Sequence, residues 1–253
     1  MRRTSLVFLA VAVLAPAQWL DLPFPVPMGA DGKPNLHALT PRAADGHPDL
    51  SGLWVVDDRK YFFDIASDAK EPTPYTALGQ SIQRQREADI HKDDPVGFCL
   101  PPGLPRMYSH FASPFKILQR PDLIAVLSEA SVQSTFVQIF LDGRRLSPDA
   151  PPTYYGYSLG RWDGDTLVVE TTGFNGKIWL DTTIGRPASE ALRVTQKFHR
   201  TDFGNMTLEL TFTDPVMYTR PWSVVLPIRL ALGTELIETV CENERDSRHL
   251  VGK

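Results

Sequence analysis

The sequence predicts a mostly β protein: an antiparallel up-and-down β-barrel, or a β-sandwich, with one helix on its outside. Three observations lead there. Between residues 154 and 215 short apolar or alternating runs are separated by Asp-Gly and Gly-Asn turn signals. In residues 206–213 Met206, Leu208, Leu210 and Phe212 alternate with Thr207, Glu209, Thr211 and Thr213, the period of a strand wet on one face. Only one stretch, residues 74–91, carries helical spacing.

Taken in order, residues 1–17 read as a signal peptide. Arg2 and Arg3 give a basic start, residues 5–14 an apolar run, and Ala15-Pro16-Ala17 a small-residue cleavage site. The run is shorter than the roughly 20 residues a spanning helix needs, so export without membrane insertion is expected. Residues 18–50 are Pro-rich and contain a duplication, A-D-G-K-P-N-L at 30–36 and A-D-G-H-P-D-L at 44–50. Two copies build no solenoid, and an extended lead-in is expected. The remainder, 51–253, is expected to be a single barrel domain.

Its first strand is residues 53–56. The helix follows, with Thr73 as cap, Pro74 at the first helical position, Tyr75, Leu78 and Ile82 as its apolar stripe, and an end near Lys92. Residues 95–105 hold too much Pro and Gly for regular structure. Strands are expected at 115–119, 123–128 and 135–141. The third carries apolar residues on both faces, so it needs cover on each side, and the helix is the expected source. After the Pro-rich break at 147–152 come strands at 154–161, 166–171, 192–200, 206–213, 218–229 and 236–241. Short strands joined mostly by tight turns favour the barrel.

The formal charge is −4 with no basic stripe, which argues against a nucleic-acid partner. Cys99 and Cys241 are the two cysteines of a chain bound for an oxidising compartment, where an even count suggests a bridge. The alternative is a pair of buried thiols. No Gly-rich phosphate loop is present, and the six histidines, His37, His47, His91, His110, His199 and His249, form no metal-ligand spacing. Neither cofactor nor metal is expected.

Gly156-Tyr157-Ser158-Leu159-Gly160 matches the G-x-S-x-G nucleophile elbow, with Asp181 or Asp202 and then His249 following in hydrolase order. The elbow requires a helix directly after the serine. Arg161-Trp162-Asp163-Gly164 turns into another strand instead, so a serine hydrolase at Ser158 is the lesser reading. Residues 172–190 are long for a strand connection and carry Phe174, Ile178 and Trp179, which fits a lid over a barrel mouth or a plug within it.

The run G-Y-S-L-G-R-W-D-G-D-T-L-V-V-E-T-T-G-F-N resembles an uncharacterised family of exported bacterial proteins. D-G-R at 142–144, T-D-P at 213–215, P-D-L-S-G-L-W at 48–54 and C-E-N at 241–243 resemble it too. The resemblance implies a lipocalin-like (calycin-like) outline and no particular reaction. Relatives show Glu where Gln196 stands, Arg where Val137 stands, and His-Glu-Gly-Asn after the final Cys.

The leading expectation is an exported barrel that binds a small, partly apolar or aromatic molecule in its interior. Arg106, Tyr108, Tyr154, Arg161, Trp162, Phe174 and Trp179 are the expected ligand contacts, with Arg161 or Arg106 anchoring an acid. The alternative is a cofactor-independent lyase, isomerase or hydratase in the same cavity. Tyr155 or Tyr157 would be its acid and Glu170, Asp181 or His199 its base. A structural envelope protein with a solid core is the third reading.

Overall fold

The alternation in the sequence is realised strand by strand. In β8 (Asn205–Thr213) the four apolar residues point inward and are buried, while the residues between them stay partly exposed. In β9 (Trp222–Leu230) Trp222, Val224, Leu226, Ile228 and Leu230 do the same. The structure, a computed structural model, describes residues 26–109, 113–129 and 135–241. The signal-peptide reading, His110 and His249 fall outside the described residues.

Nine strands close into a barrel in sequence order, each hydrogen-bonded to the next and β9 back to β1. Before β8 come β1 (Gly52–Val56), β2 (Phe115–Gln119), β3 (Leu123–Ser128), β4 (Thr135–Phe140), β5 (Tyr157–Asp163), β6 (Thr166–Thr172) and β7 (Arg193–Arg200). The outline fits a lipocalin-like barrel. One seam departs from the antiparallel expectation: β4 and β5 run parallel, paired only at Ile139↔Ser158 and Phe140↔Leu159. Residues 141–156 hold the Pro-rich break, and a chain without successive backbone donors cannot fold straight back as a hairpin. It loops clear and re-enters in the same direction. The tenth strand expected at 236–241 is irregular chain instead.

The two ends of the barrel differ. At one end the strands are joined by tight turns, around Pro121, Gly164 and residues 201–204. Arg200 seals that end. It lies over the rings of Trp54 and Phe203, and its guanidinium donates to the carbonyls of Asp49, Asp202 and Phe203. The other end, the mouth, receives the long connections: residues 57–114, 173–192 and 214–221. The first carries the short helices α1 (Lys60–Phe63) and α3 (Arg106–Ser109), and between them α2 (Ala77–Ala88). No described helix is long and apolar enough to cross a membrane.

Helix α2 starts three residues later than expected. Thr76, not Thr73, is its cap, its Oγ1 accepting from Gly79 N at 3.1 Å, and Tyr75 is diverted into a bridge with Tyr218. Nor does α2 cover β4. Its Gly79 lies so close to Met217 that a Cβ would sit 2.2 Å from the Met217 carbonyl oxygen, so the helix is docked at the mouth. The outer face of β4 stays open, with Phe136 63% exposed.

The duplicated lead-in folds twice in the same way. Bridges Met28↔Pro34 and Arg42↔Pro48 close two loops, in which Asp31 and Asp45 accept from the backbone two residues on. Both loops dock on the barrel. Leu36 and Ala38 carbonyls accept from Gly204 and Phe203, and Arg42 pairs with Asp165 while His47 stacks on Trp162 at 4.6 Å. Cys99 and Cys241 are bridged across a separation of 142 residues, which ties the C-terminal run to the mouth insertion.

Four of the tyrosines are held neutral. Burial raises Tyr61 and Tyr75 to about 12 and lifts Tyr108 and Tyr218 further. In the unfolded chain these groups ionise near 10.0. The stability they contribute is therefore intact below pH 10 and is lost as pH rises through about 12. Urea denaturation between pH 8 and 11.5 should show stability falling from pH 10 upward. The phenolate absorbance of these four should appear only with unfolding.

Candidate functional site

The interior is occupied by side chains. Trp54, Phe115, Phe198 and Phe212 are fully buried within it, and Tyr108 enters from α3 to meet Phe115 and Phe198 edge-on. A polar chain crosses this packing. Tyr108 Oη donates to Gln196 Oε1 at 2.8 Å, Gln196 Nε2 donates to Thr171 Oγ1 at 3.0 Å, and Thr171 meets Ser158 Oγ at 2.8 Å. Ser158 thus lies within β5, as its second residue, with its hydroxyl engaged, not at a strand-to-helix corner. Tyr108 is a filler of the hole, and a ligand cannot use it as a wall without displacing it.

The other expected site residues are dispersed. Glu170, Arg161 and His199 are exposed on the outer face of their strands. Glu170 pairs there with Arg193 at 3.1 Å, and His199 approaches Thr166 at 3.4 Å. Trp162 is stacked on His47 and packs, partly buried, against the core at the turn end of the barrel. Tyr157 Oη donates to the Pro151 carbonyl at 2.8 Å, and Tyr155 Oη bonds Thr135 Oγ1 at 3.1 Å. Tyr154 is half-buried against the core. These groups do not face one another across one space.

Arg106, Asp181, Phe174 and Trp179 are brought together at the mouth. Phe174, Ile178 and Leu180 are buried in the core, so residues 173–192 act as a plug whose apolar side faces the barrel. Arg106 holds Asp94 through two bonds of 2.8 and 2.9 Å and reaches Thr182 Oγ1 at 3.0 Å. Its charge is spent within the protein. Asp181, 1% exposed, accepts from Arg186 N at 3.0 Å, from Ile65 N at 3.3 Å and from the Arg186 guanidinium. Burial lifts the Asp181 carboxyl, and the Arg186 charge works against that lift. Arg186 also bonds Asp64 at 2.6 Å and Thr73 at 2.9 Å, so one side chain joins the plug to two parts of the mouth insertion.

Outside this pair lies an open cleft of about 230 Å³ between α2 and the plug, lined by Ile82, Gln85, Arg86, Asp89, His91 and Trp179 among others. Along one face of α2, Gly79 packs on Met217 while Gln83 and Arg86 meet the plug. Gln83 donates to the Ile184 carbonyl at 3.2 Å and Arg86 to the Gly185 carbonyl at 2.9 Å. The Arg86 guanidinium lies 4.1 Å from the centre of the Trp179 ring, and burial pulls its pKa down to about 10.

Among the described residues, four buried side-chain atoms lack a hydrogen-bond partner: Tyr75 Oη, His91 Nε2, Arg106 Nε and Trp222 Nε1. All four flank residues 179–187. His91 meets Trp179 edge-on at 6.0 Å, Arg106 bonds Thr182, and Arg186 lies 5.8 Å over Trp222. Tyr75 contacts Tyr218, whose Oη donates to the Pro187 carbonyl at 2.7 Å. Buried polar groups are normally paired, and of these four only His91 lines the cleft.

Sequence reasoning missed Arg86, His91 and Arg186. Arg86 belongs to the Gln/Arg/Glu side of α2, away from its apolar stripe. The signal that could have found it is the helical spacing Gly79–Gln83–Arg86, with a glycine marking close approach.

The chain matches no protein-family model, and no curated protein matches it.

Replacing Arg186 by Leu should cost about 3–5 kcal/mol, since it leaves the buried Asp181 carboxylate unpaired. Replacing Arg193, whose partner Glu170 is exposed, should cost about 0–1 kcal/mol. Urea denaturation of both variants checks the contrast.

Proposed function

We propose that the protein is an exported binding protein that takes a small, partly apolar molecule at the barrel mouth, in the cleft between α2 and Trp179. The observation that carries this reading is an open cleft walled by Trp179 and Ile82, with the Arg86 guanidinium and the unpartnered His91 Nε2 on its lining. Binding sites combine apolar surface with a few converging polar groups in this way. Export is supported by the leader-like first 17 residues and by the Cys99–Cys241 bridge, which suits an oxidising compartment.

Binding is preferred over catalysis because the candidate acids and bases are dispersed. Tyr155, Tyr157, Glu170, Asp181 and His199 lie on different surfaces or in closed pairs. General acid–base work needs two groups in reach of one substrate. A purely structural envelope role is the reading that the following test separates.

A thermal-shift screen of the mature protein against one-ring and two-ring fragments should find binders. At ten times Kd such a ligand adds about 1.4 kcal/mol, roughly 3–6 °C in Tm. Gln85→Trp places a bulky ring in the cleft from an exposed helix position, so it should keep the fold and abolish the shift. Absence of any shift, or shifts unchanged in Gln85→Trp, would remove the cleft as the site.

A further inference from the structure

Arg86, half-buried, stands apart from the buried arginines. Arg106 and Arg186 each hold a carboxylate, at Asp94 and Asp181. Arg200 meets no carboxylate among the described residues, but three backbone carbonyls occupy its donors. Arg86 makes a single hydrogen bond, to Gly185, and enters no ion pair among the described residues. A guanidinium carries five N–H donors, so most of its donor capacity is unspent, and it lines an open cleft.

The cleft is also shaped for what would use that capacity. The Arg86 guanidinium packs 4.1 Å from the Trp179 ring centre and is tied to the Gly185 carbonyl, so part of its side-chain freedom is lost before any ligand binds. Ile82 supplies apolar surface and His91 an unpartnered Nε2 at the same wall. Elsewhere on the lining Asp89 is paired with Lys92 at 3.6 Å, whereas Asp93 enters no ion pair among the described residues and would oppose a second negative group. A volume of about 230 Å³ equals that of roughly eight liquid waters, the size of a one-ring acid.

We infer that the cleft takes a small organic monoanion, a single carboxylate on a planar apolar body, with Arg86 as its counter-ion. This rests on the reading of the cleft as the binding site. The carboxylate accepts two N–H bonds from the open edge of the guanidinium, a geometry for which the planar fork is matched. The ring lies over Ile82, and Asp93 excludes a diacid.

Benzoate and benzamide have the same shape and differ in charge, so titrating each by calorimetry or NMR at low salt isolates the anion. Benzoate should bind at least about tenfold more tightly than benzamide, and its affinity should fall with added salt. Arg86→Gln retains an amide for the Gly185 carbonyl and should erase the difference between the two ligands. Arg86→Lys keeps the charge without the fork and should fall between, which covers the case in which the Gln variant is poorly folded. Equal binding of both ligands to the native protein would overturn the anion assignment and leave the cleft as a binding site. Binding of neither would overturn both. A benzoate preference surviving intact in both variants would place the anion elsewhere and overturn the role of Arg86.

Discussion

The mouth of this barrel depends on one buried charge pair. Asp181 has no exposed side-chain surface, and a lone carboxylate there would be costly to keep ionised. Its oxygens are instead saturated by the backbone of Arg186 and Ile65 and by the Arg186 guanidinium. Arg186 spends its other donors on Asp64 and Thr73, which lie before α2 in the insertion. The pair therefore fixes the plug against the insertion. Trp179, two residues from Asp181, is carried into place under Arg86 as a consequence.

That fixing explains why the space near the barrel is outside it. The insertion between β1 and β2 sends Tyr108 into the hole, where it joins a chain of hydrogen bonds through Gln196 and Thr171 to Ser158. A satisfied polar chain inside an apolar packing makes the filling specific as well as stable. The same insertion sends α2 along the rim, where its polar face binds the plug through carbonyls and leaves a gap. One stretch of chain thus closes the interior and builds the cleft.

Much of the barrel was legible because β periodicity is local. The nine strand positions from β1 to β9 follow from alternation, turn residues and a Pro-rich break, with β9 starting at Trp222 and not at 218. What local pattern could not carry was the direction of β5: a parallel return depends on where residues 141–156 travel, and alternation is indifferent to strand direction. The expected strand at 236–241 failed for a related reason. The barrel had already closed β9 on β1, so no edge remained for it to join. The site was less legible still. Residues 172–190 were recognisable as a lid or plug, and Trp179 and Asp181 as worth watching. Arg106, however, reads as an anchor until Asp94 is seen beside it, and Glu170, Arg161 and His199 point outward by a strand phase that a single strand does not disclose.

The misreading of α2 has the most bearing on function. Of the stripe sought in Tyr75, Leu78 and Ile82, Tyr75 and Ile82 pack against the core but Leu78 is 51% exposed, and the helix also docks through Gly79, Gln83 and Arg86. A helix that packs on a core must present apolar atoms, but one that packs on a loop meets free carbonyls at residues 184 and 185, which require donors. Gln83 and Arg86 meet that requirement with amide and guanidinium groups on flexible stems. The amide is consumed in doing so, whereas the guanidinium, with five donors for one carbonyl, is not. The surplus donors on Arg86 therefore follow from using an arginine where one donor was needed, and the Trp179 ring holds that surplus at the edge of the cleft.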